Sequence, residues 1–404
     1  MTPATAYAER LRRSRLADGR TWAIVGIGLG VLACWVAIPP FTVRATIWPV
    51  LVGVLAVAAG IWAVSRGAGK AGWGAIVAGL AGIALGMLAQ RSSTGNLNNV
   101  FDASLIASML VFSTPLTFAA IGGMFSERSG VVNIALEGMM LTGAFFGIYG
   151  ADKTGSWFLG ILIAMLAGGL LALVHAFFAI HLRADQIVAG MAINFLALGI
   201  TGYFFYQLYH GANIPPNIPR IPNVSIPWVR DQTFIGPAFG NLNLMIWIGL
   251  ALVPISYVVM FKTPIGLRIR ACGEHPRAAE TVGINVYAVR YAAVVTSGML
   301  AALGGAFLSV GFNGTFTENM TAGRGFIALA ALIFGNWRPF GAFGAALLFG
   351  FSTALASGGR LPQYSGTAAT LFQALPYVLT LIAVAGVIGR TIPPAAVGRP
   401  YKKQ

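Results

Sequence analysis

Four polar side chains stand in stretches of this sequence that are otherwise apolar: Asn133, Glu137, Gln186 and Asn194. An ionisable or amide group placed among aliphatic residues is costly to bury, so each is a candidate for function. Glu137, in GVVNIALEGMMLTG (130–143), is the one acid well inside an apolar run, and Asn133 precedes it by four residues on the same helical face. Two chemistries are open to Glu137. It is either a polar centre on a transport path or a tie that fixes one helix against another. Gln186, Gly190 and Asn194 recur every four residues in ADQIVAGMAINFLALGIT (184–201), with Thr201 further on. Such a stripe of small and polar residues suits close helix packing and equally suits the wall of a water-filled path. Phe195, beside Asn194, is a weaker candidate for the same wall.

A second concentration of chemistry lies in FKTPIGLRIRACGEHPRAAETVGI (261–284), which carries Lys262, Arg268, Arg270, Arg277, Glu274 and Glu280 between two apolar runs. Thr263-Pro264 can open a short helix, because proline suits the first helical position. His275-Pro276 restarts one, and Gly283 is placed to stop it. The spacing predicts about two helical turns over 276–282, roughly 10 Å long. Ala278 and Val282 share a face, Ala279 lies beside it, and Arg277 and Glu280 flank it. A helix this short is unstable alone in water. It is either docked in a partner's groove, which small residues rimmed by charges would suit, or it is an ordinary solvated linker.

Nothing in the chain reads as catalytic. His175, His181, His210 and His275 stand in no HExxH or metal-ligand cluster, and no GxxxxGK[ST] phosphate loop occurs. No cofactor or metal is expected on the chain itself. Cys34 and Cys272 suggest neither a disulfide nor a metal site.

The elements that must carry these groups are membrane spans. The chain has 404 residues, of which 57% are hydrophobic and only 9% charged, and its mean hydropathy is +0.77. Soluble domains run near 25% charged, so the fold class is all-α, a polytopic integral membrane protein. The net charge of +15 then reflects basic cytoplasmic loops rather than nucleic acid. Apolar runs at 22–38, 45–64, 71–90, 103–125, 131–149, 157–180, 186–206, 243–261, 291–312, 322–337, 340–357 and 368–389 predict about twelve helices (roughly 10–12). The run 322–337 is short enough to be broken or re-entrant. Ser113-Thr114-Pro115 predicts a kink in the fourth run. The first run is read as a retained span rather than a cleaved signal.

With the N-terminus inside, 19 Lys and Arg fall on the cytoplasmic side against 7 outside, which the positive-inside rule favours. This divides the chain into a basic cytoplasmic N-terminus (1–21), extra N-terminal spans (22–99), a core of 100–390 with a cytoplasmic loop at 262–290 and an external loop at 207–242, and a cytoplasmic tail (391–404). Even parity, which keeps 322–337 as a span, puts both termini inside. The Pro- and Asn-rich external loop is expected to be irregular and solvated.

Four blocks carry a resemblance. FSERSGVVNIALEGMMLTGAFFG (125–147) resembles the signature region of ABC importer permeases of the branched-chain amino-acid, simple-sugar and nucleoside group, and within it ERSGVVNIALEG is most similar to nucleoside permeases. DQIVAGMAINFLALGITGYFF (185–205) resembles the next block of that family, GLRIRACGEHPRAAETVGINV (266–286) its cytoplasmic coupling segment, and GRGFIALAALIFGNWRPFGA (323–342) its late broken-helix block. The resemblance covers about residues 100–390. It implies an inner-membrane import permease, and no enzyme: ATP and Mg belong to a separate ATPase subunit. Its coupling helix would be Glu274, His275, Pro276, Arg277, Ala278, Ala279, Glu280, Val282 and Gly283. It also implies an extracytoplasmic substrate-binding lipoprotein and a second permease subunit. NIALEGMM (133–140) stands where the partner type of permease usually has NIGxEGQ, which implies a heterodimer, with a homodimer as the alternative. For a nucleoside, Asn133, Gln186 and Asn194 would line the path, with Glu137 and Phe195 beside them. Simple sugars, riboflavin and branched-chain amino acids remain alternative substrates. An ion-coupled secondary transporter that uses Glu137 as its proton site remains the alternative from another class.

Overall fold

The computed structural model describes residues 19–35, 47–91, 103–211, 217–232, 235–357 and 391–402. These residues are mostly helical, and they fall into two compact units. The expected span at 368–389 and most of the basic N-terminus lie outside the described residues.

The first unit holds α1 (Gly19–Trp35), α2 (Ile47–Ser65) and α3 (Gly69–Arg91). Glycines let their backbones touch. A methyl group on Gly82 would meet the Gly30 carbonyl, one on Gly79 the Gly53 carbonyl, and one on Gly60 the Gly72 carbonyl. Large side chains, among them Trp48, Leu51, Trp62, Trp73 and Leu80, point outward. This inside-out distribution is that of helices packed in lipid, where small residues join helices and large ones meet the acyl chains.

The second unit contains α4 (Ala103–Arg128), α5 (Leu136–Thr154), α6 (Trp157–Ala176), α7 (Gln186–Tyr209), α10 (Leu244–Lys262), α11 (Pro264–Glu274), α12 (Pro276–Thr281), α13 (Val286–Ala306), α14 (Arg324–Phe334) and α15 (Pro339–Ser357). The π-helical turns Phe177–His181 and Phe307–Asn313 extend α6 and α13. At the centre, α5, α6 and α13 interlock: a methyl on Gly143 would meet the Ala302 backbone, one on Gly168 the Ala302 side chain, and one on Gly305 the Met140 carbonyl. The Ser113-Thr114-Pro115 step lies inside α4. There the Thr114 hydroxyl donates to the Leu110 carbonyl at 2.6 Å and the Thr117 hydroxyl to the Ser113 carbonyl at 2.8 Å, each one turn back along the helix.

Among the described residues, six helices are long and apolar enough to cross a membrane, and four shorter apolar helices accompany them. The chain is a multi-pass membrane protein. The count of about twelve spans is not reached in these residues. The run 322–337 forms only the 11-residue α14. At 1.5 Å per residue its helical part covers roughly 16 Å, half of a bilayer core, so it is a broken element, as its short apolar run allowed. The expected span at 131–149 likewise begins as irregular chain and becomes helical only at Leu136.

The loop at 207–242 is more ordered than its composition predicts. It contains a two-stranded antiparallel pair, β1 (Asn223–Ser225) and β2 (Asn241–Asn243), and the short helices α8 (Pro227–Arg230) and α9 (Ile235–Phe239). Ile218, Ile221 and Leu242 are buried. The Asn243 amide ties this cap to α13's extension by donating to the Ile221 and Gly311 carbonyls.

Candidate polar centre and coupling surface

Residues 129–135, between α4 and α5, are non-helical and almost wholly buried. Buried backbone without helical partners must find others, and here side chains from distant helices supply them. Gln186 Oε1 accepts from the Val132 N–H at 2.7 Å. His175 Nε2 lies 2.9 Å from the Val132 carbonyl. Asn194 makes two bonds: its Nδ2 donates to the Ile134 carbonyl at 3.0 Å and its Oδ1 accepts from the Gly138 N–H at 2.8 Å. The Arg290 Nε donates to the Ser129 carbonyl at 3.1 Å, and Ser126 Oγ donates to the Val131 carbonyl at 2.7 Å. Gly130, at φ 96°, sits where a side chain would collide with the Arg290 guanidinium.

Glu137 lies just beyond this stretch, in the first turn of α5. Its Oε1 accepts from the Thr321 hydroxyl at 2.6 Å and the Gly323 N–H at 2.8 Å, and its Oε2 from the Gly325 N–H at 2.6 Å. The carboxylate therefore sits at two helix N-termini at once, its own and that of α14, where backbone N–H groups favour negative charge. Every partner donates to it. These bonds join the start of α5 to the N-terminus of α14.

Asn133 is fully buried and donates to Ser297 Oγ at 2.9 Å, while its Oδ1 has no partner; nor have Gln186 Nε2 and His175 Nδ1. The structure thus gathers Asn133, Gln186 and Asn194 around one broken segment and puts Glu137 at its end. Phe195 does not join them: it is 68% exposed on the outer face of α7. Sequence reasoning missed His175, whose partner is a backbone carbonyl 43 residues away. It also missed Glu127, which is buried and accepts from the Trp337 indole N–H. Asp185 was another omission; it caps α7 by accepting from the Ile187 and Val188 N–H groups. For Asp185 alone a signal was available, since Asp before an apolar run marks a helix start.

The loop 262–290 folds as its spacing predicts. Pro264 opens α11, with Thr263 Oγ1 accepting from the Gly266 N–H, and Pro276 opens α12. Gly283, at φ 84°, ends the turn that follows. Arg277, Ala278 and Val282 are exposed, Val282 by 74%. Ala279 instead turns inward, onto Cys272, Val286 and Tyr401. Burial pushes the Cys272 thiol up to about 11, with the Arg290 guanidinium pulling the other way, so it stays protonated and unreactive. Glu280 is bonded by the Tyr401 hydroxyl, and Glu274 Oε2 accepts from the Ala395 N–H at 3.1 Å. Both acids of the rim are thereby engaged within the chain, which leaves Arg277, His275, Ala278 and Val282 facing out. No group of side chains that could hold a metal occurs among the described residues.

A family profile described as the permease component of branched-chain amino acid transport systems matches residues 105–384. The chain belongs to this permease family. The guanosine ABC transporter permease protein NupQ of Bacillus subtilis is 45% identical over 309 residues, which cover 74% of this chain and 96% of NupQ. The nucleoside ABC transporter permease protein NupC of Lactococcus lactis is 41% identical over 307 residues, with the same coverage. The putative glucose ABC transporter permease protein TsgC13 of Haloferax volcanii is 35% identical over 260 residues, 63% of this chain and 77% of that protein. No solved structure matches. Like these relatives, the chain is a transport subunit rather than an enzyme. The family match begins inside α4, so α1–α3 lie outside it.

Proposed function

We propose that this permease forms the path by which nucleosides enter the cell across the cytoplasmic membrane, as one subunit of an ABC importer. The observation that carries the reading is the identity of 45% with a guanosine permease over nearly the whole of that protein. The exposed face of α12 agrees with it. In this reading a separate ATPase binds ATP and Mg and seats α12 in a groove. Its closure biases the permease between two states, and only the state it favours differentially gains population. A second, different permease subunit and an extracytoplasmic binding lipoprotein complete the assembly. The loop 262–290 faces the cytoplasm, and residues 391–402 share that side because they pack on it. With this loop inside, the positive-inside rule puts the N-terminus there too.

The test is affinity purification from native membranes in mild detergent. An ATPase with a phosphate loop and a second permease are expected to accompany the chain. Recovery of the chain alone would sink the reading.

The lining of the path is assigned to the unspent polar atoms, Asn133 Oδ1 and Gln186 Nε2, with Asn194 and Glu137 alongside. Uptake by Asn133→Ala and Gln186→Ala variants checks this. A loss of nucleoside discrimination, with expression intact, is expected, and unchanged uptake in both would remove them from the path. The unit of α1–α3 is assigned as an addition to a complete permease, because its helices pack on each other through their own glycines and relatives matched over 96% of their length align with only 74% of this chain. Removal of residues 1–98 is expected to leave nucleoside uptake in place. Abolished uptake by a normally inserted deletion protein would overturn the assignment.

A further inference from the structure

We propose that residues 391–402 form a strap that fixes the coupling helix to the permease core, with Tyr401 as its positioning residue. The inference rests on the coupling role of α12 given above. The strap touches four places in order. The Ile392 N–H donates to Asn336 Oδ1 at 3.0 Å, in the turn between α14 and α15. The Ala395 and Ala396 N–H groups donate to Glu274 Oε2 at 3.1 Å and the Gly273 carbonyl at 2.8 Å, at the end of α11. The Gly398 N–H donates to the Gly130 carbonyl at 3.2 Å, in the broken segment of the polar centre. The Tyr401 hydroxyl then bonds Glu280 on α12, and its ring packs on Tyr287 with centroids 5.4 Å apart.

One non-helical segment therefore bonds both the coupling region and the non-helical stretch beside Glu137. Its lever is buried. Arg290 is 1% exposed and reaches Ser129 in the broken segment, the Arg399 carbonyl in the strap at 3.4 Å, and the Tyr401 ring at 5.7 Å. Ala279 and Cys272 form the apolar floor under Tyr401. A six-residue helix cannot hold its own orientation in water. With its inner face on Tyr401, a displacement of α12 is passed to Gly130 through the strap as well as through α13, and packed elements of this kind transmit displacement rather than absorb it.

The experiment uses the whole transporter, with its ATPase and binding protein, in proteoliposomes, and a Cys34→Ser background so that Cys272 reports docking. Truncation after residue 390 and Tyr401→Ala are expected to make Cys272 reactive to maleimide. The ATPase stays bound and continues to hydrolyse, because Ala278 and Val282 are untouched. Uptake per ATP falls about tenfold, the weight of one hydrogen bond to a charged group. Tyr401→Phe, which keeps the ring and loses the hydroxyl, falls between these and the parent. Cys272 remaining inert, or uptake per ATP unchanged once it has become reactive, overturns the strap. Uptake and hydrolysis falling in proportion overturns it too, since that is the signature of a docking surface. If the truncated chain fails to insert, Tyr401→Phe decides by the same ratio. Failure of the coupling role itself is seen separately, as Ala278→Arg leaving the ATPase bound.

Discussion

Replacing Glu137 by alanine is expected to abolish transport and to loosen the fold. The substitution strips the acceptor from three donors at once, the Thr321 hydroxyl and the Gly323 and Gly325 N–H groups. Thr321 and Gly325 are buried and Gly323 is half-buried, and an orphaned buried donor costs about 1–3 kcal/mol. The sum, roughly 3 kcal/mol or more, corresponds to about a hundredfold or more in the occupancy of the native arrangement. A methyl group on Gly325 would collide with the Glu137 backbone, so the two helix N-termini have no room to slide together and close the gap. Glu137→Gln is expected to rescue only partly, because its amide NH2 must face at least one N–H. Thermal stability in detergent and nucleoside uptake are the measurements. A Glu137→Gln chain with full stability and full uptake would break the argument. The same assay discriminates the ion-coupled alternative: uptake is expected to survive an uncoupler at constant ATP, and its collapse would return Glu137 to consideration as a proton site.

The second large effect is expected at Ala278. Arginine there should leave the isolated permease intact, since the position is exposed and arginine is a good helix former. In a groove filled by a small side chain, the added bulk costs about 1–3 kcal/mol and the unpaired charge adds to it. Roughly a hundredfold weaker association follows, read as loss of the ATPase in the native-membrane purification. Ala278 is the better position for this test than Glu280, whose carboxylate is tied to Tyr401, so that a change at Glu280 would disturb the chain itself. Retention of the ATPase by Ala278→Arg would remove α12 from the interface.

The elements read most accurately from sequence were those announced by backbone chemistry. Pro264, Pro276 and Gly283 act through φ and the missing N–H, so they mark α11, α12 and their ends whatever packs around them. The break at 129–135 was invisible because Val131, Val132, Ile134 and Ala135 are as apolar in an irregular chain as in a helix. Its stability resides in Gln186, His175 and Asn194, which lie 43 or more residues away in sequence. The stripe of Gln186, Gly190 and Asn194 was legible as a pattern, and its meaning required the partners: Gly190 packs against the Ile134–Ala135 backbone while its neighbours bond it. Arg290 falls among the 19 basic residues on the cytoplasmic side and is among the most buried large side chains. Hydropathy treats every arginine as solvated, and only the carbonyls of Ser129 and Arg399 explain why this one is not.

The seating of Tyr401 also bears on how such a protein is handled at the bench. An affinity handle or fluorescent reporter fused behind residue 404 would hang from a chain whose ring is wedged between α12 and Tyr287 only three positions earlier. Drawing the protein onto a resin by that end pulls on the bond between Tyr401 and Glu280 of α12, and a bulky reporter there sits beside that helix. Where the handle is placed becomes an experimental variable for this permease, to be matched between every pair of preparations whose turnover is compared.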